Sequence, residues 1–155
     1  MLAFAPCTSL SDHADWSVSL ADLRRPRQAL TSSFVPMSQR AAVRADFSEV
    51  LADCADAGWS GERSDPIGPE AANAAAKLID QLPSDIPDPS VGAIPEGLVT
   101  FEWYRSPKRV VLVVPTANNS VDYSIRRGNE LLHGSAPFFG KLPETVLSQI
   151  RALAR

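Results

Sequence analysis

The sequence predicts an α+β domain built from an αα-hairpin, a four-stranded antiparallel meander and a C-terminal helix. Three observations predict it. Helical periodicity is confined to 38–82 and 143–153, period-two alternation is confined to 98–133, and turn residues interrupt the alternating stretch at short intervals. At 155 residues and 45% hydrophobic, the chain is long enough for one domain with a real core and too short for two.

From Ser38 to Ala57 the apolar residues Val43, Phe47, Val50, Leu51 and Cys54 fall at i, i+4, i+7, i+8 and i+11, which is one stripe of an α-helix. Gly58 is the expected stop, because a glycine just past a helix takes the left-handed conformation at little cost. A second helix opens at Gly68-Pro69-Glu70, where proline sits in the first turn and lacks only an N–H that has no intrahelical partner. Its stripe is Ala71, Ala74, Ala75, Leu78, Ile79 and Leu82, and Pro83 ends it. The small alanines predict close approach to the first helix, with Gly58-Trp59-Ser60-Gly61 and a short polar loop joining the hairpin.

Pro83, Pro87, Pro89 and Pro95 give residues 83–97 too many fixed φ angles and missing donors for a helix or a central strand, so this stretch is expected to be an extended connector. Val99, Phe101 and Trp103 then alternate with Thr100, Glu102 and Tyr104, Arg105-Ser106-Pro107-Lys108 turns the chain, and Val110–Val114 returns. After the turn at Asn118-Asn119, Val121, Tyr123 and Ile125 alternate with Asp122, Ser124 and Arg126, and Gly128-Asn129 makes a two-residue hairpin loop before Glu130–His133. The closing helix begins near Pro143-Glu144 with the stripe Val146, Leu147, Ile150 and Leu153.

Keeping apolar residues together places Val99, Phe101, Trp103, Val110, Leu112, Val114, Val121, Tyr123, Ile125 and Leu132 on the helix-covered face. The other face carries Leu98, Thr100, Glu102, Tyr104, Val111, Val113, Asp122, Ser124, Arg126, Leu131 and His133, a mixed set suited to contact.

Residues 1–37 mix Ser, Pro, Ala and charges without a sustained period and are expected to form a loosely attached extension, leaving 38–155 as the single α+β domain. Cys7 and Cys54 are too far apart in character and place to predict a disulfide or a zinc site. The apolar start Met1–Pro6 is too short for a signal-peptide core and has no basic residue ahead of it, and no run is long enough to span a bilayer, so a cytoplasmic location without membrane contact is expected. No residue pattern calls for a cofactor or metal: one histidine, His13, lies in the extension and the other, His133, in a strand.

The net charge of −3 predicts neither a nucleic-acid coat nor an acidic tail, but its distribution is uneven. Residues 59–96 carry two basic against seven acidic side chains, and residues 97–155 carry eight basic against four acidic. In a meander the turn at Arg105, Lys108 and Arg109 should meet the strand end at Arg126 and Arg127, with Tyr104 nearby. Such a rim suits phosphate, nucleic acid or an acidic partner, while basic turn residues also serve as edge protection.

Asp122, Ser124 and His133 share a face and have the composition of a hydrolytic triad, yet a nucleophilic serine needs a base, an oxyanion hole and a sheltered pocket, and a mid-strand serine offers no obvious donors. Trp59 and Trp103 are expected to pack, Trp59 as a plug sealing the hairpin end against the sheet. Glu102, beside Trp103, is open to three roles: a cap, a partner for a cation such as Arg109, or an acid in a cleft.

Gly58-Trp59-Ser60-Gly61, Pro66-Ile67, Glu70-Ala71, Ala75, Leu82-Pro83, Pro87-Asp88-Pro89, Pro95-Glu96-Gly97 and Phe101-Glu102-Trp103 occur in an order that resembles a group of small, uncharacterised bacterial proteins. That group has a Gly-Trp-Asp-Gly turn, a proline-rich connector and a Leu-Glu-Trp strand, and the resemblance covers roughly 50–153 when the following strands are included. Ser60 stands where the group has Asp, so a carboxylate role there does not carry over. The resemblance implies an accessory or mobile-element gene and transfers no activity, and a toxin–antitoxin gene set is a further setting for the function expected first. The first expectation is therefore a non-enzymatic interaction protein that binds another protein, or its own copy, through the outer sheet face. Nucleic-acid binding at the basic rim is the second, and a small hydrolase or transferase using Glu102 or His133 the third.

Overall fold

A computed structural model describes residues 40–61 and 63–155. The expected extension over 1–37 and the helix start at Ser38 lie outside the described residues. The elements run α1 (Ala41–Asp53), α2 (Pro69–Gln81), β1 (Ser90–Ile94), β2 (Leu98–Ser106), β3 (Arg109–Thr116), β4 (Ser120–Arg127), β5 (Glu130–Pro137) and α3 (Glu144–Leu153). The strands form one antiparallel sheet in the order β1-β2-β3-β4-β5, so the α+β class and the meander both hold.

The sheet has five strands, not four, because Ser90–Ile94 pairs with Leu98–Glu102. The prolines that argue against a strand stand outside this segment: Pro87 and Pro89 precede it and Pro95 follows it. A short strand between prolines keeps all of its own donors, and β1 is outermost on its side, where interrupted pairing is tolerated. Strand β5 is also longer than its alternation indicates, reaching Pro137 through Gly134-Ser135-Ala136. Gly134 lies opposite Tyr123, and a Cβ there would come within 2.4 Å of the tyrosine ring, so the aromatic ring occupies the space the glycine leaves.

A second correction concerns β3. The expected face joined Val110, Leu112 and Val114 to Phe101 and Trp103, whereas Phe101 pairs with Val113 and Trp103 with Val111. Ser106 pairs with Arg109, and from Tyr104 inward the register is shifted by one residue. This bulge at Arg105 turns β3 over relative to a straight hairpin, because a one-residue slip exchanges the faces of a strand. The run Val110–Val114 is apolar at both parities, so its sequence carries no signal of the exchange.

The inner face thus presents Val99, Phe101, Trp103, Val111, Val113, Val121 and Ile125 to the helices, which contribute Val43 from α1, Ala75, Leu78 and Ile79 from α2, and Val146, Leu147 and Ile150 from α3. Every one of these side chains is at most 5% exposed, and together they form the core. Trp103 is inside it and donates its indole N–H to the Pro87 carbonyl at 2.8 Å, which satisfies the polar end of a buried aromatic.

The first two helices touch, but the packing expected of an αα-hairpin is not their main contact. Helix α1 leans on β1 while α2 lies across β2 and β3. The intervening loop is tied down by Gly58 N–H to Ser64 O (2.9 Å), Ile67 N–H to Cys54 O (3.1 Å) and Asp65 N–H to Pro95 O (2.7 Å). The last bond fastens the loop to the β1–β2 turn. There Gly97 has φ 72°, and a Cβ would meet the Pro66 carbonyl at 2.6 Å, so only glycine permits the approach. Trp59 is half-buried and donates to the Asp65 carbonyl at 2.7 Å, which makes it a clasp across its own loop.

Arg40 anchors the start of α1. Its guanidinium, 8% exposed, pairs with Asp88 and donates to the carbonyls of Pro83 and Ile86, so the connector after α2 is fixed to α1 by one side chain.

Candidate functional site

The turn after β2 and the end of β4 meet as the meander requires. Arg109 pairs with Arg127, Val110 with Arg126, and Gly128 N–H bonds the Lys108 carbonyl at 2.7 Å. The cations at this rim do not act as one group, however. Arg105 donates to the Leu153 carbonyl and Arg109 to the Ala152 carbonyl, both at 2.7 Å. Those carbonyls belong to the last turn of α3, which lacks intrahelical donors and carries the negative end of the helix dipole, so the two arginines cap it. Lys108 and Arg127 are exposed, and Arg126 is half-buried on the opposite, outer face between Val110 and Leu131. Tyr104 also lies on that face, opposite Val110.

The outer face divides across its width. On β1–β3 it is apolar and covered: Ile94 is 7% exposed, Thr100 1%, Val110 2%, Leu112 9% and Val114 2%, and Glu102 lies among them at 6%, between Ser90 and Leu112. On β4 and β5 it is polar and accessible. Asp122, Ser124, His133 and Ser135 line a groove of about 310 Å³ whose floor is Leu112 and Val114. Ser124 stands directly opposite His133, and Asp122 opposite Ser135. No hydrogen bond between side chains joins Asp122, Ser124 and His133 among the described residues, and His133 is exposed, so nothing orients a relay or shelters a nucleophile.

One apolar side chain beside this groove escapes the sequence pattern. Leu132 has the inner-face parity of Ile125, yet it is 49% exposed, while Leu131 lies on the outer face as expected and is 37% exposed. No described helix touches β5, so the helical layer ends over β4 and both faces of β5 are bare. Phe139, just beyond the strand, is 84% exposed. Periodicity assigns Leu132 to a face; how far the helices extend over that face is a tertiary matter.

Among the described residues, no group of three His, Cys, Asp or Glu side chains is placed to hold a metal ion, and no helix is long and apolar enough to cross a membrane. Cys54 is buried, and Cys7 and His13 lie outside the described residues. Compared with protein-family models, with curated proteins and with solved structures, the chain matches none of them.

Proposed function

We propose that this domain is a protein-interaction module whose docking element is β5, and that it recognises an extended segment of another protein by adding it as a sixth strand. The observation that carries the reading is the edge itself. β5 is eight residues long, nothing pairs with its outer side among the described residues, and between Leu131 and Ala136 it contains neither a proline nor a charged side chain. Edge strands ordinarily carry such protection against pairing, so an unprotected one flanked by exposed leucines suits strand addition. Backbone hydrogen bonds would supply the common part of the affinity. Leu131 and Leu132 would supply contacts on the two faces, and the polar groove beside His133 the selectivity.

The nucleic-acid reading is weaker because Arg105 and Arg109 serve α3, which leaves Lys108, Arg126 and Arg127. The test is affinity purification of the tagged chain from its host, with a nuclease-treated control. A protein partner should survive nuclease and be lost with Leu132→Lys. That substitution sits at a half-exposed edge and should leave the unfolding midpoint nearly unchanged. Retention of the partner by Leu132→Lys, or its loss on nuclease treatment, sinks the proposal.

A further inference from the structure

We propose that the segment added at β5 carries a lysine or arginine beside Ser135, and that Asp122 in the outer-face groove is the carboxylate that receives it. This inference rests on the strand-addition reading and names the chemistry of the partner. Among the described residues that line the groove, Asp122 is the one acid and none is a lysine or arginine. Its carboxylate is half-buried, and no hydrogen bond or ion pair engages it among the described residues. The cation that shares the outer face of β4 is Arg126, four residues on and therefore about 13 Å away along the strand. A carboxylate partly withdrawn from water gains most from a charged donor whose aliphatic stem also covers neighbouring surface, which is the form of a lysine or arginine side chain.

The register of the sheet fixes where such a side chain can enter. On the outer face Leu131 stands opposite Arg126, His133 opposite Ser124 and Ser135 opposite Asp122. In the first two rows a large side chain lies between the free edge and β4, whereas in the third it is a serine, so the edge is open to Asp122. A strand added beyond β5 lies two strand spacings, about 10 Å, from β4. A lysine or arginine leaning over Ser135 closes that gap with Asp122, and a short polar side chain does not. In the added strand the residues three and four positions from this cation fall beside Leu132 and Leu131, which are 49% and 37% exposed. The recognised segment is therefore a lysine or arginine separated by two residues from an adjacent apolar pair, in either strand direction.

The experiment selects random peptides displayed on phage against the full chain and retests each binder on Leu132→Lys. Binders lost with Leu132→Lys use the β5 edge, and these should be enriched in the basic residue at that spacing from the apolar pair. For a synthetic peptide of this class, Asp122→Asn should weaken binding about fivefold, as for a partly exposed ion pair. Changing the basic residue of the peptide to glutamate should weaken binding to the parent and restore it to Asp122→Lys, a reversal that a misfolded variant cannot produce. Edge binders without the basic residue, or with unchanged affinity for Asp122→Asn, overturn this inference and leave strand addition standing. The absence of any binder that depends on Leu132 overturns both.

Discussion

Strands β3 and β5 are both eight residues long and belong to one sheet, yet β3 is buried at every position except its two ends and β5 at none. The inner residues of β3, Val111 and Val113, belong to the core shared with α2 and α3, while its outer residues Val110, Leu112 and Val114 lie outside that core and are also buried. Neither side of β5 has any described helix over it. Burial in this domain therefore follows position across the sheet more than it follows face. The contrast separates a buried half of the sheet from an exposed one.

The largest expected effects lie at the covered end. Phe101→Ala should cost about 3–5 kcal/mol in urea unfolding, since it empties a fully buried site among helix side chains. Leu112→Ala, on the outer face, should cost about 2–3 kcal/mol, the lower range for a buried leucine. A cost under about 1 kcal/mol would mean that the outer side of β3 is bare and would remove the symmetry inferred for that strand.

An intermediate effect is expected within the exposed half, between β4 and β5. Gly134→Val places side-chain atoms where the Tyr123 ring lies and should destabilise by about 1–3 kcal/mol. Adding Tyr123→Ala should make the valine less costly than it is alone, the mark of coupled neighbours in a double-mutant cycle.

Smaller still, Arg109→Ala should cost about 1 kcal/mol by removing one of the two arginine caps at the end of α3. Part of that loss should persist at high salt, because the half-buried guanidinium donates a directed hydrogen bond at 2.7 Å and is not only an exposed charge.

The smallest effect belongs to Asp85. Its carboxyl is held below the ordinary value of 3.8, first by a hydrogen bond from Arg151 and further by the charge of that guanidinium. A lowered pKa in the folded state gives stability that is present above the unfolded value and is lost as pH falls through the folded one. The difference between the parent and Asp85→Asn should accordingly be small at neutral pH and vanish as acidification carries the pH below the lowered pKa. A difference that grows with acid would contradict the ion pair.

Local chemistry made the helices legible. The stripe Ala71, Ala75, Leu78 and Ile79 and the stripe Val146, Leu147 and Ile150 are the buried sides of α2 and α3, because a helix with one apolar face has one way to lie on a sheet. The turns at Pro107-Lys108 and Gly128-Asn129 were legible for the same reason. The caps Arg105 and Arg109 were not, since their acceptors are carbonyls at the far end of the chain, which no spacing around the arginines encodes. Glu102, Trp59 and the polar set Asp122, Ser124 and His133 could be named as residues, but only packing distinguishes a buried carboxyl, a loop clasp and an open groove.

By itself the sequence determined the α+β class, the helices around the sheet and the meander from β2 to β5, because these follow from periodicity and turn residues within a few positions of one another. The tertiary structure decided three further things. A single bulge at Arg105 set which side of β3 faces the helices, pairing with β2 made a strand of five residues between prolines, and the reach of the helical layer left Leu132 exposed. Each depends on where a distant segment comes to rest. An apolar run with equal residues at both parities contains no local information about that.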